Sequence, residues 1–399
     1  MTSATPLAEF RCRTRLLFGK DSRFEIGHEL RTMGASRPLV VTDRGVEESG
    51  VVDLCLTALR TSNTEPAGIY ASVRQDAPIG CVDEAAAVGR EHQADSVIAI
   101  GGGSVLDAAK AVCILLSEGE VSFRTYLTDS MGFAPQPTPL LPHIGVPTTA
   151  GTGAEVTWGA IYLDEENHQK CGYLHLYMSP DVAVLDPEFT VGLPPFITAT
   201  TAFDAITHGI EGSTCLTATP LGDAVALQGI ELLCGNLARV MEEPTNRGAR
   251  LNMQIGASLT ALAAVNYIGG VVHALSHTVG AVAGVPHGLG NALALPLGLR
   301  FNGPVYDFEK IVAIARAVGI KGSLPDSAES VANVVADAIE GLRASCGLPS
   351  NLRDAGYAVD GEKLEALATQ ALTDPETFGN PRPISGEDFV SLFRTLLGH

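Results

Sequence analysis

Between Arg250 and Arg300 the chain carries no Asp, Glu, Lys or Arg, and that run limits what the second half can become. An uncharged stretch of this length has to be shielded from water, either as core helices or as a membrane span. Asn252, Gln254, Asn266 and Asn291, many glycines and the lack of a flanking basic cluster favour buried helices. Inside the run, Gly269–Pro296 reads GGVVHALSHTVGAVAGVPHGLGNALALP and holds His273, His277 and His287. Whatever these imidazoles do, they do it with little competing charge nearby in sequence.

At 399 residues the chain exceeds the usual size of one hydrophobic core, so two domains are expected. Its 26 basic and 45 acidic residues give a formal charge of -19, which repels phosphate backbones and anionic lipid surfaces. Neither a nucleic acid nor a membrane is an expected partner. The eight cysteines (Cys12, Cys55, Cys81, Cys113, Cys171, Cys215, Cys234 and Cys346) include no CxxC pair. That pattern fits free thiols in a reducing compartment, and with no apolar stretch near the N-terminus the expected location is cytoplasmic.

Along the chain, EFRCRTRLLF (residues 9–18) alternates like a half-exposed edge strand, the kind that pairs with another chain. Ser22–Met33 reads as a helix, and Leu39–Asp43 as a buried strand ending in a carboxylate. Helical spacing returns at Val51–Thr61 and Ile79–His92, with a short strand at Gly68–Tyr70 between them. ADSVIAIGGGSVLDAAKAV then gives a strand over Val97–Ile100, a turn at Gly101, Gly102 and Gly103, and a helix that Ser104 is placed to cap. HIGVP and Val182–Leu185 supply further strands, the first running into Thr148-Thr149-Ala150-Gly151-Thr152-Gly153. Strand, turn and helix in repetition imply a parallel sheet with crossovers. From Thr198 onward only helical periodicity appears, so the boundary between an α/β half and an all-helical half is expected near residue 188.

Glycines after a strand let backbone N–H groups approach a phosphate at a helix N-terminus. Leu106 stands where the third glycine of a GxGxxG fingerprint belongs, so alone the turn is equally an ordinary tight connection. A second turn at Thr148–Gly153 favours the phosphate reading, because two neighbouring strand ends can flank one pyrophosphate. Asp43 at its strand end suits a ribose diol and opposes a 2'-phosphate, which points to NAD and leaves NADP open. Asp204 and His208 are four apart, as are His273 and His277, so each pair shares a helix face. One carboxylate with several imidazoles and no thiolate suits Fe(II) or Zn(II). A lone histidine in an apolar helix is commonly a core residue; four of them with a carboxylate lacking a nearby cation are harder to explain that way.

Taken together, GGGSVLDAAK, PTTAGTGAEVT, DAITHGIE and HALSHTVGAVAGVPHGLGNALALP resemble the iron-dependent (group III) alcohol dehydrogenase family over nearly the whole chain. The resemblance implies a Rossmann-like α/β N-terminal domain, an all-α C-terminal domain in a dehydroquinate synthase-like architecture, and a dinucleotide and a metal in the cleft between them. Carried over by position, Asp204, His208, His273 and His287 fall on the metal ligands, and His277 on the histidine beside nicotinamide and substrate. Gly101, Gly102, Gly103 and Ser104 fall on the pyrophosphate turn, with Thr148, Thr149, Thr152 and Lys170 as further cofactor contacts and Asp43 at the position tied to NAD. Ala202 and Thr278 depart from the common glycine and proline of the family without removing a ligand.

The implied reaction is metal-assisted hydride transfer between NAD(H) and an alcohol, aldehyde or ketone, with His277 relaying the proton. Gly159 and Ala264 are small at positions expected to border the substrate, which favours something larger than ethanol; Trp158 and Glu376 are candidates for the same wall. Two other enzymes stay in view: a hydroxyacid-oxoacid transhydrogenase, and a dehydroquinate synthase-type lyase, disfavoured by the scarcity of Lys and Arg in the ligand segments. A non-catalytic binding module would leave His277 unexplained. A homodimer through the N-terminal strand is the expected assembly.

Overall fold

The computed structural model describes residues 9–127, 131–134, 138–167, 169–265, 269–357 and 363–398. Asn266, one of the polar residues of the uncharged run, lies outside them. Contacts divide the chain into two compact units, Cys12–Leu193 in one and Pro194 onward in the other, so the division falls after Leu193 where the sequence pattern changes near residue 188.

The first unit is built on six parallel strands: β1 (Arg15–Phe18), β2 (Pro38–Thr42), β3 (Gly68–Tyr70), β4 (Ser96–Gly101), β6 (His143–Pro147) and β9 (Val182–Leu185). Their order is β1-β9-β6-β4-β2-β3. Alternation within β2 and β4 sends Leu39, Val41, Val97 and Ala99 to one apolar layer and Val40, Ile98 and Ile100 to the other. Helices cover both faces, as parallel strands buried on two sides require. The chain leaves β2 for β3 on one side and returns to β4 on the other, which makes the β2/β4 edge a topological switch point.

A second sheet is not signalled by the sequence pattern. β5 (Met131–Phe133), β8 (Gln169–Leu174) and β7 (Gly159–Asp164) form three strands in that order, with β7 and β8 antiparallel. A buried cation anchors it. Lys110, with 0% exposure, directs its ammonium to Asp107 Oδ1 (3.1 Å), Thr157 Oγ1 (2.8 Å) and the Gly159 carbonyl (2.8 Å). Asp107 Oδ2 accepts the Ile161 N–H, so one ion pair ties the helix after the glycine turn to β7. All three ammonium protons are used, which is what makes such burial tolerable.

The second unit contains no strand among its described residues. The uncharged run folds as three helices, Arg247–Ala264, Val271–Ala283 and His287–Asn302, whose inward faces are fully buried. Pro286 sits directly before the third helix, a position that needs no amide proton.

One buried group tests the packing of the first unit. Both ring nitrogens of His143 are buried without a hydrogen-bond partner among the described residues, and desolvation pushes its pKa down to about 3. A base depressed in the folded state contributes stability above its unfolded pKa of ~6.5. That stability is lost as pH falls from there toward 3, because only the unfolded chain takes up the proton, and the loss is at most ~1.4 kcal/mol for each tenfold rise in proton concentration. The melting temperature is therefore expected to drop more steeply between pH 6.5 and 4 in the wild type than in His143→Leu; parallel pH profiles by calorimetry would refute it.

Candidate active site

The C-terminal ends of β2, β4 and β6 bring three sequence features to one edge. Gly101 pairs in register with Pro147, and the Thr148 N–H donates to the Gly101 carbonyl at 3.0 Å. The two turns touch: a Cβ on Gly103 would approach Thr152 Cγ2 to 2.7 Å, and one on Gly102 would approach Thr149 Cγ2 to 3.4 Å. Glycine at 103 is thus required by the neighbouring turn, whatever binds above it. Ser104 does not cap the helix as the sequence led us to expect. The N-cap is Gly102, the helix starts at Gly103, and the Ser104 hydroxyl accepts the Asp76 N–H at 3.0 Å. Asp76 and Ala77 hold φ of 64° and 46°, the left-handed region that costs non-glycine residues energy.

Two expected cofactor residues have partners of their own here. Lys170 Nζ lies 2.8 Å from Asp76 Oδ1, which links it to the glycine turn through the Ser104 contact. Asp43 caps the Arg44–Glu48 helix, its Oδ1 accepting the Val46 N–H at 2.9 Å. One Asp43 oxygen remains for another donor.

In the second unit Asp204 and His208 share the Pro195–Thr214 helix, His273 and His277 the Val271–Ala283 helix, and His287 opens the next. The ligand atoms of Asp204, His208 and His273 all lie within 4.8 Å of one another. From Asp204 Oδ1, His287 Nε2 is 3.2 Å away, His208 Nε2 3.8 Å and His273 Nε2 3.9 Å. The rings stack pairwise, His208 on His273 at 4.9 Å and His277 on His287 at 5.2 Å between centroids. Burial raises the Asp204 carboxyl, yet the imidazoles of His208, His287 and His273 outweigh it and hold it well below the usual carboxylate range. Desolvation pushes His208 down to about 4 and lowers His287, in both cases against the pull of Asp204. His208 Nδ1 is buried with no partner among the described residues. One ionised carboxylate converging with three imidazole nitrogens is a borderline divalent-ion donor set, so these residues fit such an ion.

Side chains outside the expected ligand set hold it in place, and of these Glu211, Asp374 and Asn380 were missed by sequence reasoning, while Glu376 was expected only at the substrate wall. Glu211 Oε2 lies 2.6 Å from His273 Nδ1, and Glu211 Oε1 accepts the Val272 N–H at 2.7 Å. It therefore fixes the ring and closes the helix N-terminus at once, leaving His273 Nε2 for the cluster. Asn380 Oδ1 accepts the Val271 N–H at 3.1 Å, and Glu376 Oε2 accepts the Gly269 N–H at 2.5 Å. Asp374 Oδ2 is 3.0 Å from His277 Nδ1. Burial works against the Asp374 carboxylate, but the bond from His277 outweighs it and holds the group below its ordinary value. Asp374, Glu376 and Asn380 thus clamp the helix carrying His273 and His277. Glu211, seven residues after Asp204, shares its helix face, a spacing that could have exposed it.

The expected substrate wall needs one correction. A Cβ at Gly159 would run into Leu174 Cδ2 at 2.5 Å, so glycine there answers to packing between β7 and β8 and opens no space. Trp158 lies just before β7 in the same unit, its carbonyl accepting the His175 N–H. In the other unit Ala264 ends its helix, close to Gly212, and Glu376 is engaged by Gly269 as described.

The family described as iron-containing alcohol dehydrogenase matches residues 13–187, and the Fe-containing alcohol dehydrogenase family, C-terminal, matches residues 198–397. Lactaldehyde reductase of Escherichia coli (strain K12) is 35% identical over 382 residues, covering 95% of this chain and 96% of that protein. A solved 1,3-propanediol oxidoreductase superposes with a TM-score of 0.91 at 31% identity, over 98% of this chain and 100% of the other. The sulfoacetaldehyde reductase of Bifidobacterium kashiwanohense, solved in complex with NAD+, gives 0.87 at 26% identity, over 99% and 100%. With both halves matched, the chain belongs to the iron-containing alcohol dehydrogenase family, NAD-dependent oxidoreductases that use a divalent metal.

Proposed function

We propose that this enzyme interconverts an alcohol and its aldehyde or ketone, with NAD held at the β2/β4/β6 edge of residues 1–188 and the metal held by Asp204, His208, His273 and His287 in residues 189–399. The observation that carries the reading is the convergence of Asp204 Oδ1 with His287, His208 and His273 Nε2 at 3.2–3.9 Å. A bound divalent ion supplies Lewis-acid polarisation of the substrate oxygen, and the nicotinamide supplies the hydride chemistry. The rest falls to the chain. Gly101, Gly102, Gly103, Ser104, Thr148, Thr149, Thr152 and Lys170 orient the dinucleotide, with Asp43 favouring NAD over NADP. His277 moves the proton. Because Asp374 is ionised and accepts from Nδ1, the tautomer is set and Nε2 is left to take or give a proton at the substrate oxygen.

Lactaldehyde and 1,3-propanediol, in the names of two relatives, are three-carbon oxygenated compounds, which supports a substrate larger than ethanol here. Trp158, Ala264 and Glu376 remain the candidates for its wall. The transhydrogenase reading requires a site that welcomes oxoacids, whereas Asp204, Glu211, Asp374 and Glu376 surround the imidazoles, so the simple dehydrogenase is preferred. β1 forms one edge of its sheet, pairing only with β9 among the described residues, which supports a homodimer through that strand. Eight free cysteines support a reducing, cytoplasmic setting.

Each role has its own expected outcome. His273→Ala is expected to lose bound metal and activity together, while His277→Ala keeps the metal and loses about 10²–10⁴-fold in kcat. Asp374→Ala, with metal retained, should lower kcat by roughly 10–100-fold. Metal analysis beside NADH-linked assays checks all three, and full turnover after chelation would end the metal reading. Light scattering should return twice the chain mass of 41.6 kDa; a monomer rejects the dimer. NADH consumption with an aldehyde and no second oxoacid separates the dehydrogenase from the transhydrogenase.

A further inference from the structure

The loop between β3 and the Ile79–Glu91 helix runs past the glycine turn and brings a carboxylate to it. Asp76 donates its backbone N–H to the Ser104 hydroxyl at 3.0 Å, and Ser104 is the second residue of the helix that the turn opens. A carboxylate so placed lies inside the screening distance, about 10 Å at 0.1 M salt, of any anion that the turn holds. The two like charges repel.

Fastening the loop does not require this carboxylate. Arg74 Nη1 meets Glu165 Oε1 at 2.8 Å, Pro78 and Leu163 form a parallel β-bridge, and the Leu163 N–H donates to the Ala77 carbonyl at 3.4 Å. The Asp76–Lys170 pair is a further tie at 2.8 Å, but its side chains are 34% and 50% exposed, and an ion pair in that setting contributes little to stability. The backbone is strained as well, with φ of 64° at Asp76 and 46° at Ala77. Strain that persists beside a binding turn points to function. The pair also changes what Lys170 offers. With Asp76 Oδ1 at 2.8 Å its charge is compensated, so it meets a cofactor as a hydrogen-bond donor with protons to spare and not as a lone cation.

We propose that Asp76 keeps dinucleotide binding weak: its carboxylate cancels the charge of Lys170 and opposes the pyrophosphate, so NADH leaves faster than the turn and Lys170 alone would allow. The inference rests on the placement of NAD proposed above. A cofactor that has to leave in every cycle limits turnover when it is held too tightly, and a nearby like charge shortens its stay without touching the reacting atoms.

Asp76→Asn removes the charge, keeps an oxygen for Lys170, and suits a left-handed φ as aspartate does. NADH fluorescence titration of the full-length enzyme gives dissociation constants for the wild type, Asp76→Asn, Lys170→Met and the double variant, and stopped-flow displacement gives the release rate. Asp76→Asn is expected to bind NADH roughly 3–10-fold more tightly at low salt, the size of one partly screened charge, with the change in the release rate. In about 1 M salt, where screening acts within ~3 Å, the gain should vanish. Lys170→Met is expected to bind more weakly, and adding Asp76→Asn to it should recover more affinity than in the wild type, because the carboxylate there is uncompensated. If Asp76 serves only to hold Lys170, Asp76→Asn weakens binding and has no effect beside Lys170→Met; that result overturns the proposal, as does an unchanged dissociation constant. If Lys170→Met itself binds NADH as the wild type does, the placement of the cofactor falls and the proposal with it.

Discussion

Asp204 is a carboxylate with 2% exposure and no Lys or Arg partner among the described residues. A charge buried that deeply has to be compensated, and only imidazoles are within reach. Much of the second unit follows from that constraint. Three helices place His208, His273 and His287 around one oxygen, and a second layer of carboxylates then sets how the rings are turned. Glu211 does this for His273 and Asp374 for His277, so one ring turns its Nε2 toward Asp204 and the other is held by a separate carboxylate. The two histidines share a helix, and their settings differ by which carboxylate each meets.

The first unit solves a different problem by similar means. Its glycine turn depends on backbone shape more than charge, and that shape is imposed by contact between the turns after β4 and β6. The buried Lys110–Asp107 pair locks the following helix to β7. The Ser104–Asp76–Lys170 chain carries the fixation across to a neighbouring loop. In both units a charged group whose burial would be costly in isolation is stabilised by several hydrogen bonds at once.

Much of this is legible in the sequence. Long apolar runs ending in Asp43, Gly101 and Thr148 announce parallel strands because buried β-structure is read from local composition. The i,i+4 spacings of Asp204/His208 and His273/His277 announce shared helix faces because helical periodicity is local too. The hairpin β7–β8 escapes such a reading, since GAIYLD and QKCGYL have no strong alternation and are stabilised by Lys110 from another element. Gly159 misleads for the same reason: its neighbour Leu174 is close in space, across the hairpin, and nothing local predicts the clash. Ser104 has the residue type of a cap, but the chain bends earlier and gives the hydroxyl to Asp76.

The sequence by itself determined the fold class, the family and the types of residue available for metal and dinucleotide chemistry. Those properties follow from periodicity, glycine placement and motif spacing, which act over a few residues. The tertiary structure alone decided that Glu211 orients His273, that Asp374 orients His277, and that Asn291 stands beside Asp204, His273 and His287. Each of those contacts except the His287–Asn291 pair joins residues from separate elements, 18 to 97 positions apart in the chain. Their geometry depends on how helices pack, and a side chain's partner across such a gap is set by that packing and not by its own neighbours in sequence.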